Sequence, residues 1–142
     1  FPSVQNEFQT QSFIEQMQVS YEKNGYCYFA VDELESSEFI GFIGILNQNY
    51  RAEFTPCLDI GWRLDEQFWY KGYATEGAKA SLHYAFTTLK LNEVVAVCPK
   101  VNTKSEQVMK KIGMQKITEF KHVFLKDNPN LEVCVLYKIK HV

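Results

Sequence analysis

The sequence contains no apolar run near the roughly 18–20 residues that a membrane-spanning helix needs, so no membrane partner is expected. It has no excess of positive charge. The formal net charge is −2, which argues against a nucleic-acid partner held on a basic face. Its four cysteines, at 27, 57, 98 and 134, include no CxxC pair and no zinc spacing. Cys27, Cys98 and Cys134 fall in apolar, strand-like runs and read as small core residues in a reducing, cytoplasmic setting. The three histidines, His83, His122 and His141, are scattered too widely to suggest a metal site. No signal-peptide pattern, internal repeat, low-complexity stretch or linker is visible. Neither GxxxxGK[ST] nor GxGxxG occurs, so the common nucleotide loops are missing.

What is present is an ordinary globular composition in 142 residues, 46% hydrophobic and 23% charged, with eleven Phe and eight Tyr. That length suits one domain, taken here as residues 1–142. Residues 6–23 carry Phe13, Met17 and Tyr21 at helical spacing and stop at Asn24-Gly25. "YCYFAV" (26–31) and "EFIGFIGIL" (38–46) read as a hairpin joined by a polar turn. Gly41 and Gly44 inside the second run indicate a bulge or a close backbone approach. "CLDIGWRL" (57–64) is a third strand. Ala74, Ala78, Leu82, Ala85, Phe86 and Leu89 mark a helix over 73–89. "EVVAVC" (93–98) reads as a buried strand closed by Pro99, and 102–113 as a short helix ended by Gly113. Two strands, about 114–124 and 131–140, flank the turn "KDNPN". The order α-β-β-β-α-β-α-β-β predicts a mixed α/β (α+β) domain with a mostly antiparallel sheet, helices on both faces, and a parallel pair within 57–98.

The stretch "FWYKGYATEG" (68–77) carries the chemistry. A strand ends, the chain turns at Gly72, and a helix begins. Free backbone N–H groups and the positive end of the helix dipole meet there, which suits an anion and above all a phosphate. Gly72 lets backbone come close to such a ligand and Ala74 keeps the first turn slim. The plainer alternative is that Gly72 only shapes a strand-to-helix turn.

"WYKGYA" (69–74) is similar to the cofactor loop of the GNAT acetyltransferases, whose pattern is Q/R-x-x-G-x-G/A. Trp69 stands where that superfamily usually has Gln or Arg. The Rim-type ribosomal-protein N-acetyltransferases commonly have Trp there, in runs like W-G-K-G-Y-A-T-E-A. Residues Trp69, Lys71, Gly72, Tyr73, Ala74, Thr75 and Glu76 match that run, whereas Tyr70 and Gly77 depart from it. "DIGWRL" (59–64) resembles the subgroup's preceding strand. "NTKSEQVMKKIGM" (102–114) resembles its N-x-x-S-x-x-x-x-x-K-x-G-F/M segment at Asn102, Ser105, Lys111, Gly113 and Met114.

The resemblance implies acetyl-CoA as cosubstrate. The backbone of Tyr70, Lys71, Gly72, Tyr73, Ala74 and Thr75 would hold the pyrophosphate. The strand end Trp62, Arg63 and Leu64 would pair with the pantetheine amides, strands 57–64 and 93–98 would splay to admit the arm, and Asn102 would hydrogen-bond it. The family normally opens with a further strand and helix. The sequence starts at Phe1, so an N-terminal truncation is expected. Strand 26–31 is then expected either at an unprotected sheet edge or paired with another chain, which leaves a homodimer open.

Many members of the family use a Tyr in the short helix as general acid. The aligned residue here is Met109, which cannot donate a proton. Ser105 is the substitute, with a helix-surface serine as its plain reading. Cys57 and Cys98 lack an adjacent histidine, so direct attack by a neutral amine is expected rather than an acyl-enzyme. Asp59 is the first candidate base and Glu76 the second. Each also has a structural reading, Asp59 as a solvent-facing strand residue and Glu76 as a first-turn acid favouring the dipole. The acceptor is expected to be a protein N-terminal amine or a small amine. A CoA-binding module without turnover is the alternative, and an RNA-binding α/β domain a weaker one that lacks both motif and charge.

Overall fold

A computed structural model describes residues 5–141. The chain runs as α1 (Glu7–Asn24), β1 (Tyr28–Asp32), β2 (Phe39–Gln48), β3 (Cys57–Leu64), α2 (Tyr73–His83), β4 (Glu93–Pro99), α3 (Thr103–Lys111), β5 (Gln115–Lys121), α4 (Pro129–Glu132) and β6 (Val133–Lys140). The element order is the one the periodicities predict, with the one-turn helix α4 added inside the last hairpin. The helix expected over 73–89 is α-helical only to His83. Residues 84–88 form a π turn, in which Tyr84 donates its hydroxyl to the Gly25 carbonyl at 2.9 Å while Ala85 stays fully buried. The first strand begins two residues later than its apolar run, because Tyr26 turns its hydroxyl to Asn47 Oδ1 at 3.0 Å ahead of the ladder.

Local chemistry accounts for the helix ends. Asn6 caps α1 in a reciprocal pair with Gln9, and Gly25 closes it with φ +81°. Asn102 caps α3 by accepting from the Ser105 N–H at 3.2 Å.

The six strands form one sheet in the order β1-β2-β3-β4-β6-β5. All neighbours are antiparallel except β3 and β4, which are parallel. Among the described residues, β1 and β5 are the two edges of the sheet. The glycines of β2 mark close approaches: a Cβ at Gly44 would lie 2.0 Å from the Cys27 carbonyl oxygen, and one at Gly41 2.1 Å from that of Arg63.

The main core lies between one face of the sheet and helices α2 and α3. Ile45, Ile60, Ala78, Leu82, Val94, Ala96, Met109 and Val135 belong to it. Met109, at 2% exposure, is a packing residue. Cys27, Cys98 and Cys134 are buried, as their apolar surroundings predict. On the other face, Phe13 of α1 rests on Phe42, which stacks on Tyr28. Among the described residues, no helix is long and apolar enough to cross a membrane.

Candidate active site

Strand β3 is lined by β2 from Cys57 to Leu64, but it meets β4 in register only at Asp59–Val95. Beyond that point the two parallel strands part. Among the described residues, the backbone edge of Trp62–Leu64 that faces the gap has no strand partner, and apart from the Leu64 carbonyl, which accepts from Trp69, its N–H and C=O groups are available to an extended ligand.

The turn after β3 is anchored at two points, the Leu64 carbonyl and the Glu33 carboxylate. Trp69 donates its indole N–H to the Leu64 carbonyl at 2.9 Å. The Tyr73 hydroxyl donates to Glu33 Oε2 at 2.6 Å, and Lys71 Nζ lies 3.9 Å from the same carboxylate. Tyr70 and Gly72 both hold left-handed backbone, with φ +64° and +81°. Gly72 caps α2 with no side-chain hydrogen bond, and a Cβ there would meet nothing within 4 Å. The turn therefore opens on free space at a helix start that has no side-chain cap, which fits a phosphate. Glycine is present because its φ requires it, and the space beyond its Cα is clear.

Asp59 sits at the vertex where β3 and β4 separate. Strand alternation sends Ile60 into the core with α2 and Asp59 to the opposite face. The expectation of a solvent-facing carboxylate there is incorrect. Asp59 is half-buried, and Tyr28 donates its hydroxyl to Asp59 Oδ1 at 2.5 Å. Gln48 Nε2 donates to the Tyr28 oxygen at 3.2 Å. Burial pushes the Asp59 carboxyl up to about 7, against the hydrogen bonds from Tyr28 and Gln48, which pull it down. The Tyr28 hydroxyl is itself raised well above its ordinary value, by burial first and then by Asp59.

Tyr28 reaches Asp59 by crossing two strands. Tyr28 pairs with Gly44, and Gly44 with Gly61, so the ring passes over two residues without side chains. A Cβ at Gly61 would lie 3.1–3.2 Å from the ring and its hydroxyl oxygen. The sequence reading missed Tyr28 and Gln48. The available signal was the pair of small residues on one face of adjacent strands, which calls for a large side chain from a third.

The other expected residues are spread around the gap. Ser105 is half-buried in the first turn of α3, and Asn102 is exposed with its Oδ1 committed to the cap. Glu76 is exposed on α2, on the opposite side of the sheet from Asp59. Trp62 packs against the core. Burial raises the Cys57 thiol to about 11 and the Cys98 thiol to about 12, so neither is a ready nucleophile. Among the described residues, no group of three His, Cys, Asp or Glu side chains could hold a metal.

Residues 1–115 match a protein family described as "Acetyltransferase (GNAT) domain". The chain is similar to the "Uncharacterized N-acetyltransferase YnaD" of Bacillus subtilis, at 41% identity over 84 residues, 59% of this chain and 48% of that protein. It is similar to the "FsC-acetyl coenzyme A-N(2)-transacetylase" of Aspergillus fumigatus, at 30% identity over 99 residues, 67% of this chain and 42% of that protein. The chain thus spans about half the length of these curated relatives. Among solved structures it resembles a GNAT-family acetyltransferase from Bacillus anthracis, with a TM-score of 0.76 and 29% identity, covering 99% of this chain and 78% of that one.

Proposed function

Because the chain belongs to the GNAT acetyltransferase family, we propose that it moves an acetyl group from acetyl-CoA to a primary amine, with Asp59 as general base. The observation that carries this reading is the parting of β3 and β4 beyond Asp59–Val95, beside the uncapped start of α2. The backbone of 70–75 holds the pyrophosphate and the open edge of Trp62–Leu64 pairs with the pantetheine amides. Asn102 offers its amide N–H₂ to the arm, its oxygen being taken by the cap.

Acetyl-CoA, when bound, supplies the activated thioester. Asp59 takes the proton of an ammonium directly or through one water. The neutral nitrogen then attacks the thioester carbon, the N–C bond forms, the C–S bond breaks, and the proton the nitrogen sheds passes to the departing thiolate, which leaves as the CoA thiol. The Ser105 hydroxyl hydrogen-bonds the departing sulfur. Proximity supplies much of the rate, and the raised thiols of Cys57 and Cys98 argue against an acyl-cysteine. A base near 7 suits an α-amine, whose pKa is about 7.7–8, better than a lysine near 10.4. The acceptor is accordingly a protein N-terminal amine of the Rim type or a small amine.

Turnover on a panel of peptides, amino acids and polyamines, read as release of the CoA thiol, tests this. If CoA binds but no acceptor turns over, a CoA-binding module replaces the enzyme. A pH profile tests Asp59 more closely. Its hydrogen bond from Tyr28 lowers the carboxyl pKa, so Tyr28→Phe should raise it. Since the base must be ionised, the rising limb of kcat/KM against pH should move from about 7 to higher pH in the variant. An unmoved limb would remove Asp59 from that limb.

A further inference from the structure

Lys104 lies in the first turn of α3, with its ammonium 4.3 Å from the ring centre of Trp69 and 4.5 Å from that of Tyr70. Helix α3 follows β4 and the 68–72 turn follows β3. The contact therefore bridges the two sides of the gap at its mouth, beyond the point where the strands part. Lys71, close by in sequence, is tied to Glu33. Among the described residues, no carboxylate pairs with Lys104. Its hold is on ring faces alone, and both rings are open to water, Trp69 at 40% and Tyr70 at 85% exposure. Exposed cation–π contacts are weak, and they leave the full charge of the ammonium unneutralised. Tyr70 presents its ring from a left-handed backbone that side chains other than glycine rarely adopt, the kind of local strain that persists where a site uses it.

We propose that Lys104 is the movable cation of this cleft: it rests on Trp69 and Tyr70 and turns onto the pyrophosphate of acetyl-CoA as the cofactor enters. The inference rests on the reading that the 70–75 turn holds that pyrophosphate. The physical reason is a difference in partners. A lysine paired with a carboxylate must give up one charge contact to gain another. Lys104 gives up only ring faces to make a charge-assisted hydrogen bond to a doubly charged group. The backbone N–H groups of the turn approach the pyrophosphate from the α2 side, and Lys104 closes on it from the α3 side.

Calorimetry with CoA, dephospho-CoA and pantetheine on the wild-type chain, Lys104→Gln and Lys104→Arg tests the proposal. Lys104→Gln should bind CoA and dephospho-CoA roughly tenfold more weakly, with a shallower salt dependence, and pantetheine unchanged. Lys104→Arg should restore most of the affinity, because it keeps the charge. Equal affinities in Lys104→Gln and wild type would overturn the role of Lys104 and leave the cofactor site standing. A loss confined to CoA would assign the lysine to the 3′-phosphate and overturn the pyrophosphate contact. An equal loss for pantetheine would make Lys104 a structural brace. Wild-type chain that binds neither nucleotide would remove the cofactor reading itself.

Discussion

Asp59→Asn is expected to lower kcat by roughly 10²–10⁴-fold while CoA affinity stays within about twofold, the size of effect that loss of a general base produces. Asparagine keeps the shape and can still accept from Tyr28, so the fold and the ring over Gly44 and Gly61 should persist. The deficit should shrink above pH 8 if the acceptor is an α-amine, because solvent then deprotonates it unaided. The same substitution should change stability with a definite sign. The carboxyl is raised to about 7 in the folded chain. Between about pH 4 and 7 the folded state therefore holds a proton that the unfolded state has lost, and stability falls as pH rises through that window. Above it, the ionised buried carboxylate costs up to about 4 kcal/mol, which the variant never incurs. Urea unfolding at pH 4 and pH 8 should show the variant gaining on the wild type only at the higher pH. Parallel behaviour at both would mean that Asp59 is not held against ionisation.

The second large effect is at the turn. Gly72→Glu should weaken CoA binding by roughly 100-fold or more, since a carboxylate set against a pyrophosphate costs several kcal/mol. The fold should survive. The new side chain meets no protein atom within 4 Å of its Cβ, so the cost to stability is the left-handed φ of +81°, about 1–2 kcal/mol. Gly72→Asn is the control: it tolerates that conformation, carries no charge, and should keep most of the affinity. Thermal melts and calorimetry on both variants separate the two contributions. Unchanged CoA affinity in Gly72→Glu would take the phosphate away from this turn.

Wherever interactions are local, the sequence alone was sufficient. The period of Phe13 and Met17 and the stops at Gly25 and Gly113 depend on residues within one or two turns of each other, so α1 and α3 could be read directly. Strand β3 was legible to its exact ends, and Gly72 marked the turn by its chemistry alone. What tertiary structure decided was set by contacts between distant residues. The end of α2 depends on Tyr84 reaching Gly25, 59 positions away, and no period reports that. Asp59 looked like an alternating polar residue facing water. It is a held carboxylate because Tyr28 and Gln48 arrive from two other strands, over glycines whose emptiness has meaning only when the strands are side by side. Trp69 was legible as part of the loop motif, but Lys104 carried no signal of its own until the parting of β3 and β4 set their elements on opposite sides of one gap. Periodicity and capping are encoded locally and survive in the bare sequence. The protonation of a carboxylate and the partner of a lysine depend on burial and register, which exist only once the sheet has assembled.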